Sequence, residues 1–123
     1  MTPAGLDQIL AFFFRPQGRI SRLEFGLGTL VVLLLDLAML AFLVRRGPPG
    51  PGFVAAMVAL GLPLAIAQFV LVAKRCHDLN LPGSFVLLLL VPAFNFVWVL
   101  MLAVLPGNPA PNAYGPPPRF RPD

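Results

Sequence analysis

Three apolar runs separated by polar islands set the pattern of this chain. Gly26 to Val44 is the first, with Asp36 as its sole charge. Phe53 to Ala73 is the second, uncharged, with Gly61, Pro63 and a lone strongly polar Gln68. Phe85 to Leu105 is the third, with Pro92 and Asn95 at its middle. At a rise of about 1.5 Å per residue, runs of this length match a hydrocarbon core roughly 30 Å thick. The pattern predicts an all-α membrane protein, a three-transmembrane-helix bundle with spans at 26–44, 53–73 and 85–105. The third run has an alternative reading, a re-entrant hairpin with Pro92-Ala93-Phe94-Asn95 at its tip. Each half would hold only about seven to ten residues, too few to cross alone, so a single kinked span is the expectation.

Ahead of the first run, Leu6, Ile9, Leu10, Phe13 and Phe14 recur at helical spacing. That predicts a short N-terminal interfacial helix over 3–14, opened by Thr2 as cap and Pro3 at the first position. Ser21 and Glu24 have the spacing of a capping box and predict where the next helix begins. Residues 106–123 contain seven prolines and read as an extended, solvated tail. The organisation is thus a single membrane domain over 1–118 with a Pro-rich tail at 106–123.

Composition agrees with the pattern. Hydrophobic residues make up 58% of the 123 residues and charged residues 11%. Soluble domains carry about 25% charged residues, so this chain lacks the polar surface to cover a water-soluble core. The net charge of +4 then points to arginines flanking spans and meeting anionic headgroups, not to nucleic acid. One Cys excludes an internal disulfide. The first apolar run ends in Val44-Arg45-Arg46, without a small-residue cleavage signal, and reads as a span instead of a leader. With three spans, Arg15, Arg19, Arg22, Lys74 and Arg75 share one side and Arg45, Arg46, Arg119 and Arg121 the other. That bias sets the N-terminus in the cytoplasm by a narrow margin.

The candidate chemistry lies in two polar islands, Gly18–Glu24 and Lys74–Gly83, which the span pattern brings to one membrane boundary. They gather Arg19, Arg22, Glu24, Arg75, His77 and Asp78. Arg–Glu and Arg–Asp pairs are expected to join the islands, and guanidinium groups there suit lipid phosphates or another ligand. Catalysis is not expected: adjacent His77 and Asp78 diverge by about 100° on a helix and form no relay between themselves. No metal site is expected either. Cys76, His77 and Asp78 are consecutive, and the chain has no second Cys or His. No phosphate loop or dinucleotide fingerprint implies a cofactor. Inside the membrane, Asp36, Gln68 and Asn95 are the polar exceptions. A mid-membrane carboxylate costs about 2.5–3.5 kcal/mol on insertion scales, so Asp36 must be neutralised, paired or turned toward protein. Asp36 and Asn95 fall at similar depth and are expected to face each other, or Asp36 to meet a Ser/Thr or backbone group.

Three motifs resemble one family. Phe14-x-x-x-Gly18-Arg19-Ile20-Ser21-Arg22-x-Glu24-Phe25 is similar to its F-x-G-R-x-S-R-x-E-[FY]-W signature, with two residues more before the glycine. Lys74-Arg75-Cys76-His77-Asp78-Leu79 is similar to its R-R-L-H-D-x motif, and Pro106-Gly107-Asn108-Pro109-x-x-Asn112-x-Tyr114-Gly115-x-x-Pro118 to its G-x-x-G-x-N-x-[YF]-G-x-x-P tail. The chain therefore resembles the bacterial inner-membrane family of unknown function DUF805. Two aromatic positions depart from the pattern: Gly26 follows the first motif where Trp is common, and Pro82-Gly83-Ser84-Phe85 replaces a Ser-Gly-Trp-Trp-like step. The resemblance implies a small multi-span protein without an assigned activity, and adds Asn112, Tyr114 and Gly115 to the shared polar set. The expected function is that of a non-enzymatic accessory or lipid- or partner-binding factor. The alternatives are a small oligomeric transporter or channel component using Asp36, and a lipid-headgroup enzyme using His77. The expected partners are the bilayer, its anionic lipids, and a second copy or another membrane protein.

Overall fold

A computed structural model describes residues 4–47 and 50–118; the Thr2–Pro3 cap and residues 119–123 of the tail lie outside them. Those residues form helices α1 (Ala4–Phe14), α2 (Arg22–Arg45) and α3 (Pro51–Asp78), a 3₁₀ helix (Gly83–Leu90) and α4 (Phe94–Val104). Helices α2 and α3 are long and apolar enough to cross a membrane, with mean hydropathy of 2.6 and 2.2 over their most apolar windows. Leucines point outward around most of α2, among them Leu27, Leu30, Leu33, Leu34 and Leu37. A helix apolar on all sides and packed on only one suits a hydrocarbon surround.

Local chemistry sets the helix ends. The capping box forms as predicted: Ser21 Oγ accepts from the Glu24 N–H at 3.2 Å, and Glu24 Oε1 accepts from the Ser21 N–H at 3.1 Å. Pro51 opens α3, where a missing N–H costs nothing. α3 runs unbroken through Pro63. It ends in a Schellman turn, with Leu81 N–H donating to Cys76 O at 2.8 Å and Asn80 N–H to His77 O at 3.0 Å. Asn80 takes the left-handed position, φ 60°.

The third apolar run does not form the one long helix expected; it is broken into two. It descends as the 3₁₀ helix, turns at Val91–Ala93 and returns as α4. Eight residues at about 2.0 Å and eleven at about 1.5 Å give two legs of roughly 16 Å, half a membrane each. Both ends sit beside the end of α3. A Cβ on Gly83 would lie 3.3 Å from His77 Nε2. At the other end, the Asn108 N–H donates to Asp78 O at 2.8 Å. The reason is the turn chemistry. Pro92 has no N–H and disfavours helix in the residue before it. Ala93 adopts φ 69°, ψ −48°, a γ-turn closed by Phe94 N–H to Pro92 O at 2.8 Å. The Asn95 amide donates to Leu89 O at 2.8 Å and satisfies a carbonyl at the break.

The core forms where α1, the lower halves of α2 and α3, and the hairpin meet; it includes Phe25, Val32, Leu71, Cys76, Trp98 and Leu102. Gly28 is its tightest point. A Cβ there would stand 3.0 Å from both Leu71 Cδ1 and Phe12 Cε1. A Gly28→Leu substitution is therefore expected to lower stability by about 1–3 kcal/mol through overpacking. Thermal unfolding in detergent checks this; an unchanged melt would place the α1–α2–α3 contact elsewhere.

Candidate functional site: a boundary latch and a mid-depth cavity

Asp78, the last residue of α3, sits between two guanidinium groups. Its Oδ1 accepts from Arg19 Nε at 3.1 Å and lies 3.0 Å from Arg19 Nη2. Its Oδ2 accepts from Arg75 Nη1, one turn back on the same helix. All three side chains are fully buried. The remaining guanidinium donors go to main-chain carbonyls. Arg19 bonds Asn108 O, Ala110 O at 2.9 Å and Gly115 O at 3.0 Å. Arg75 bonds Leu102 O at 2.7 Å, Ile20 O at 3.3 Å and Leu105 O. The triad thus ties the 18–21 loop, the end of α3, the end of α4 and the tail into one latch.

Helix ends supply much of the negative partner. The last carbonyls of a helix lack intrahelical donors and carry about half a negative charge. α4 ends without a glycine cap, and cations take its carbonyls: Arg75 bonds Leu102 and Leu105, and Arg22 Nη1 bonds Val104 O at 3.0 Å. α1 is closed the same way. Lys74 Nζ, buried, donates to Ala11 O and Phe12 O at 2.9 Å each and lies 5.4 Å from the centre of the Phe12 ring.

The tail folds over this latch, contrary to the extended, solvated reading. Asn112 and Gly115 exchange backbone hydrogen bonds of 3.0 and 3.1 Å, with Gly115 at φ 119°. Asn112 Oδ1 accepts from the Tyr114 N–H at 2.8 Å, and its Nδ2 donates to His77 O at 3.0 Å. The Tyr114 ring stacks flat on His77, centroids 4.1 Å apart and planes 7° apart. On the ring's edge, His77 Nδ1 is 3.0 Å from Gly18 O. A carbonyl only accepts, so Nδ1 carries the proton.

The structure therefore brings together Arg19, Arg75, Asp78, His77, Asn112, Tyr114 and Gly115. The expected Arg–Asp pair between the islands forms as Arg19–Asp78, while Arg75–Asp78 lies within one island. Glu24 instead completes the capping box, and Arg22 reaches α4. The sequence reading missed the carbonyl targets, since a main-chain acceptor leaves no residue-type signal. It also missed Trp98, whose buried Nε1 has no hydrogen-bond partner among the described residues while its ring packs between Phe85 and Phe94.

A second feature lies deeper. Thr29, Asp36, Gln68 and Asn95 line one cavity of about 430 Å³ that is open on its outer side, with apolar walls that include Leu33, Phe69, Leu89 and the exposed Phe96. The hairpin creates it by carrying Asn95 down to the level of Asp36. Gln68 Nε2 donates to Thr29 Oγ1 at 3.2 Å. Asn95 Nδ2 is engaged by Leu89 O. Asp36 has no hydrogen bond or ion pair among the described residues. Asp36 and Asn95 thus share a cavity, as expected of their depth, without bonding each other.

Comparison with known families gives one match. The family of proteins of unknown function DUF805 matches residues 13–116. The chain belongs to that family. The matched stretch begins near the end of α1 and closes one residue after Gly115, so it contains every latch residue and the whole cavity of this DUF805 protein. No curated protein and no solved structure matches the chain.

Proposed function

We propose that this DUF805 protein is a multi-pass protein of a bacterial inner membrane, without enzymatic activity, that acts by binding within the bilayer at the Asp36 cavity. The observation that carries this reading is the contrast between the two polar sites. At the boundary, the donors of Arg19 and Arg75 are directed at Asp78 and six main-chain carbonyls. That arrangement suits a structural role better than phosphate capture. At mid-depth, Asp36 lines a cavity and has no hydrogen-bond or ion-pair partner among the described residues. His77 gives no second reading as a catalyst: the groove it borders is lined by Pro16, Ile66, Phe69, Val70, Ala73, Gly83 and Val86, with no acid to work beside it.

The hairpin also sharpens the orientation. Both ends of the hairpin lie beside the end of α3, on the α1 side. Arg15, Arg19, Arg22, Lys74 and Arg75 then oppose Arg45 and Arg46, which favours the α1 side in the cytoplasm. Arg15, exposed beside α1, is suited to anionic headgroups there.

Native mass spectrometry from nanodiscs tests the binding role. The wild type is expected to retain a small-molecule, lipid or second-chain mass that Asp36→Asn loses while keeping the wild-type melting temperature. Equal adducts in both would remove the cavity from the function.

A further inference from the structure

We propose that the Asp36 cavity takes a lipophilic monocation: a single ammonium group on an apolar body, free of phosphate. This rests on the reading of the cavity as the binding site and names the class of its occupant. Three observations carry it. First, the lining contains one acid and no Lys, Arg or His. Its only formal charge selects a cation, and a phosphate would find no charged donor. Second, the amide groups leave acceptors. Leu89 O fixes Asn95 Nδ2, so Asn95 offers Oδ1, and Asp36 offers both carboxylate oxygens. Third, Phe69 and Phe96 stand in the wall. Aromatic faces near a carboxylate are what an alkylammonium binds. Leu33, Val99 and Leu100 continue the wall as an apolar surface for the remainder of the ligand. The volume, about 430 Å³, falls within the 300–1,000 Å³ or so of ordinary small-ligand sites.

The occupant enters as a cation and no bond is made or broken. An ammonium gains a charge-assisted bond to Asp36, whereas an alcohol of the same chain length gains only a neutral hydrogen bond.

The chain's single Trp makes the test local. Trp98 precedes Val99 in the cavity wall, and a brominated alkylamine seated there quenches its fluorescence. In phosphatidylcholine nanodiscs, bromododecylamine is expected to quench saturably at a concentration about tenfold below that of the matching bromo-alcohol, the difference between a charged and a neutral partner. Asp36→Asn is expected to erase that difference. The amine-to-alcohol comparison on the wild type stands even if the variant folds poorly. Equal quenching by the alcohol or by a brominated fatty acid overturns the proposal. So does displacement by phosphatidylethanolamine as effective as by the simple amine, since that would make a lipid headgroup the ligand. A dimer mass that depends on Asp36, with no amine selectivity, makes a second copy the occupant: the ligand class then fails while the cavity keeps its role. No selectivity and no Asp36-dependent mass removes both.

Discussion

Asp78→Asn is expected to cost about 3–5 kcal/mol of stability, enough to unfold the boundary of a protein this size. Asp78 bridges Arg19 and Arg75 with one carboxylate oxygen each, and none of the three side chains touches solvent. The change is isosteric, so packing is preserved and only charge and donor pattern are altered. Asn keeps one oxygen for one guanidinium. Its amide N–H groups meet the donors of the other, and two cations are left buried side by side. Thermal unfolding in detergent measures the loss, and proteolysis within residues 106–118 should accelerate alongside it. A shift within about 0.5 kcal/mol, the range of an ordinary surface change, would mean that water reaches the triad. Arg19→Lys makes a companion test. An ammonium has no planar fork, so it cannot hold Asp78 and three carbonyls together, and the tail should be released although charge is conserved.

The second large effect concerns sidedness. On the proposed topology, α2 and α3 cross and the hairpin returns to its starting side, an even number of crossings. Reporters fused before Met1 and after Asp123 should therefore report the same compartment. A cysteine at Ala93, in a chain with Cys76 replaced by Ser, should resist a charged maleimide added from either side. Opposite compartments for the two reporters would restore a third span and dismiss the hairpin.

How much of this was legible in the sequence follows from the kind of signal each feature leaves. The start of α2 was readable because a capping box is local, written in Ser21 and Glu24 alone. The two long helices were readable because length and hydropathy are properties of a run. The hairpin was visible only as an alternative. Pro92 and Asn95 mark a break in either architecture, and what decides between a kink and a reversal is the γ-turn at Ala93 together with the grip of Arg75 on Leu102 and Leu105. Those are contacts across 27 and 30 residues. The island residues were rightly grouped by the helix pattern, yet Arg19 with Asp78 is a pairing over 59 residues that no spacing rule fixes. The tail misled because its prolines argue for solvation. The Asn112–Gly115 turn argues otherwise, since Asn two residues before Tyr and a glycine able to take positive φ form a closed Asx turn. The cavity could be read only as a shared depth for Asp36 and Asn95.

One consequence of the latch concerns what the tail can and cannot change. Arg19 holds Asn108, Ala110 and Gly115 by their carbonyls, a group every residue carries. Its hold depends on where the chain runs and hardly on which side chains it bears. Residues 109–111 are then free to vary in identity but bound in number: one residue added or removed shifts the carbonyls beyond it past the guanidinium and moves Tyr114 off His77. The tail is measured by length, as a strap is by its holes, and single-residue deletions there should lower the melting temperature more than any single substitution at the same positions.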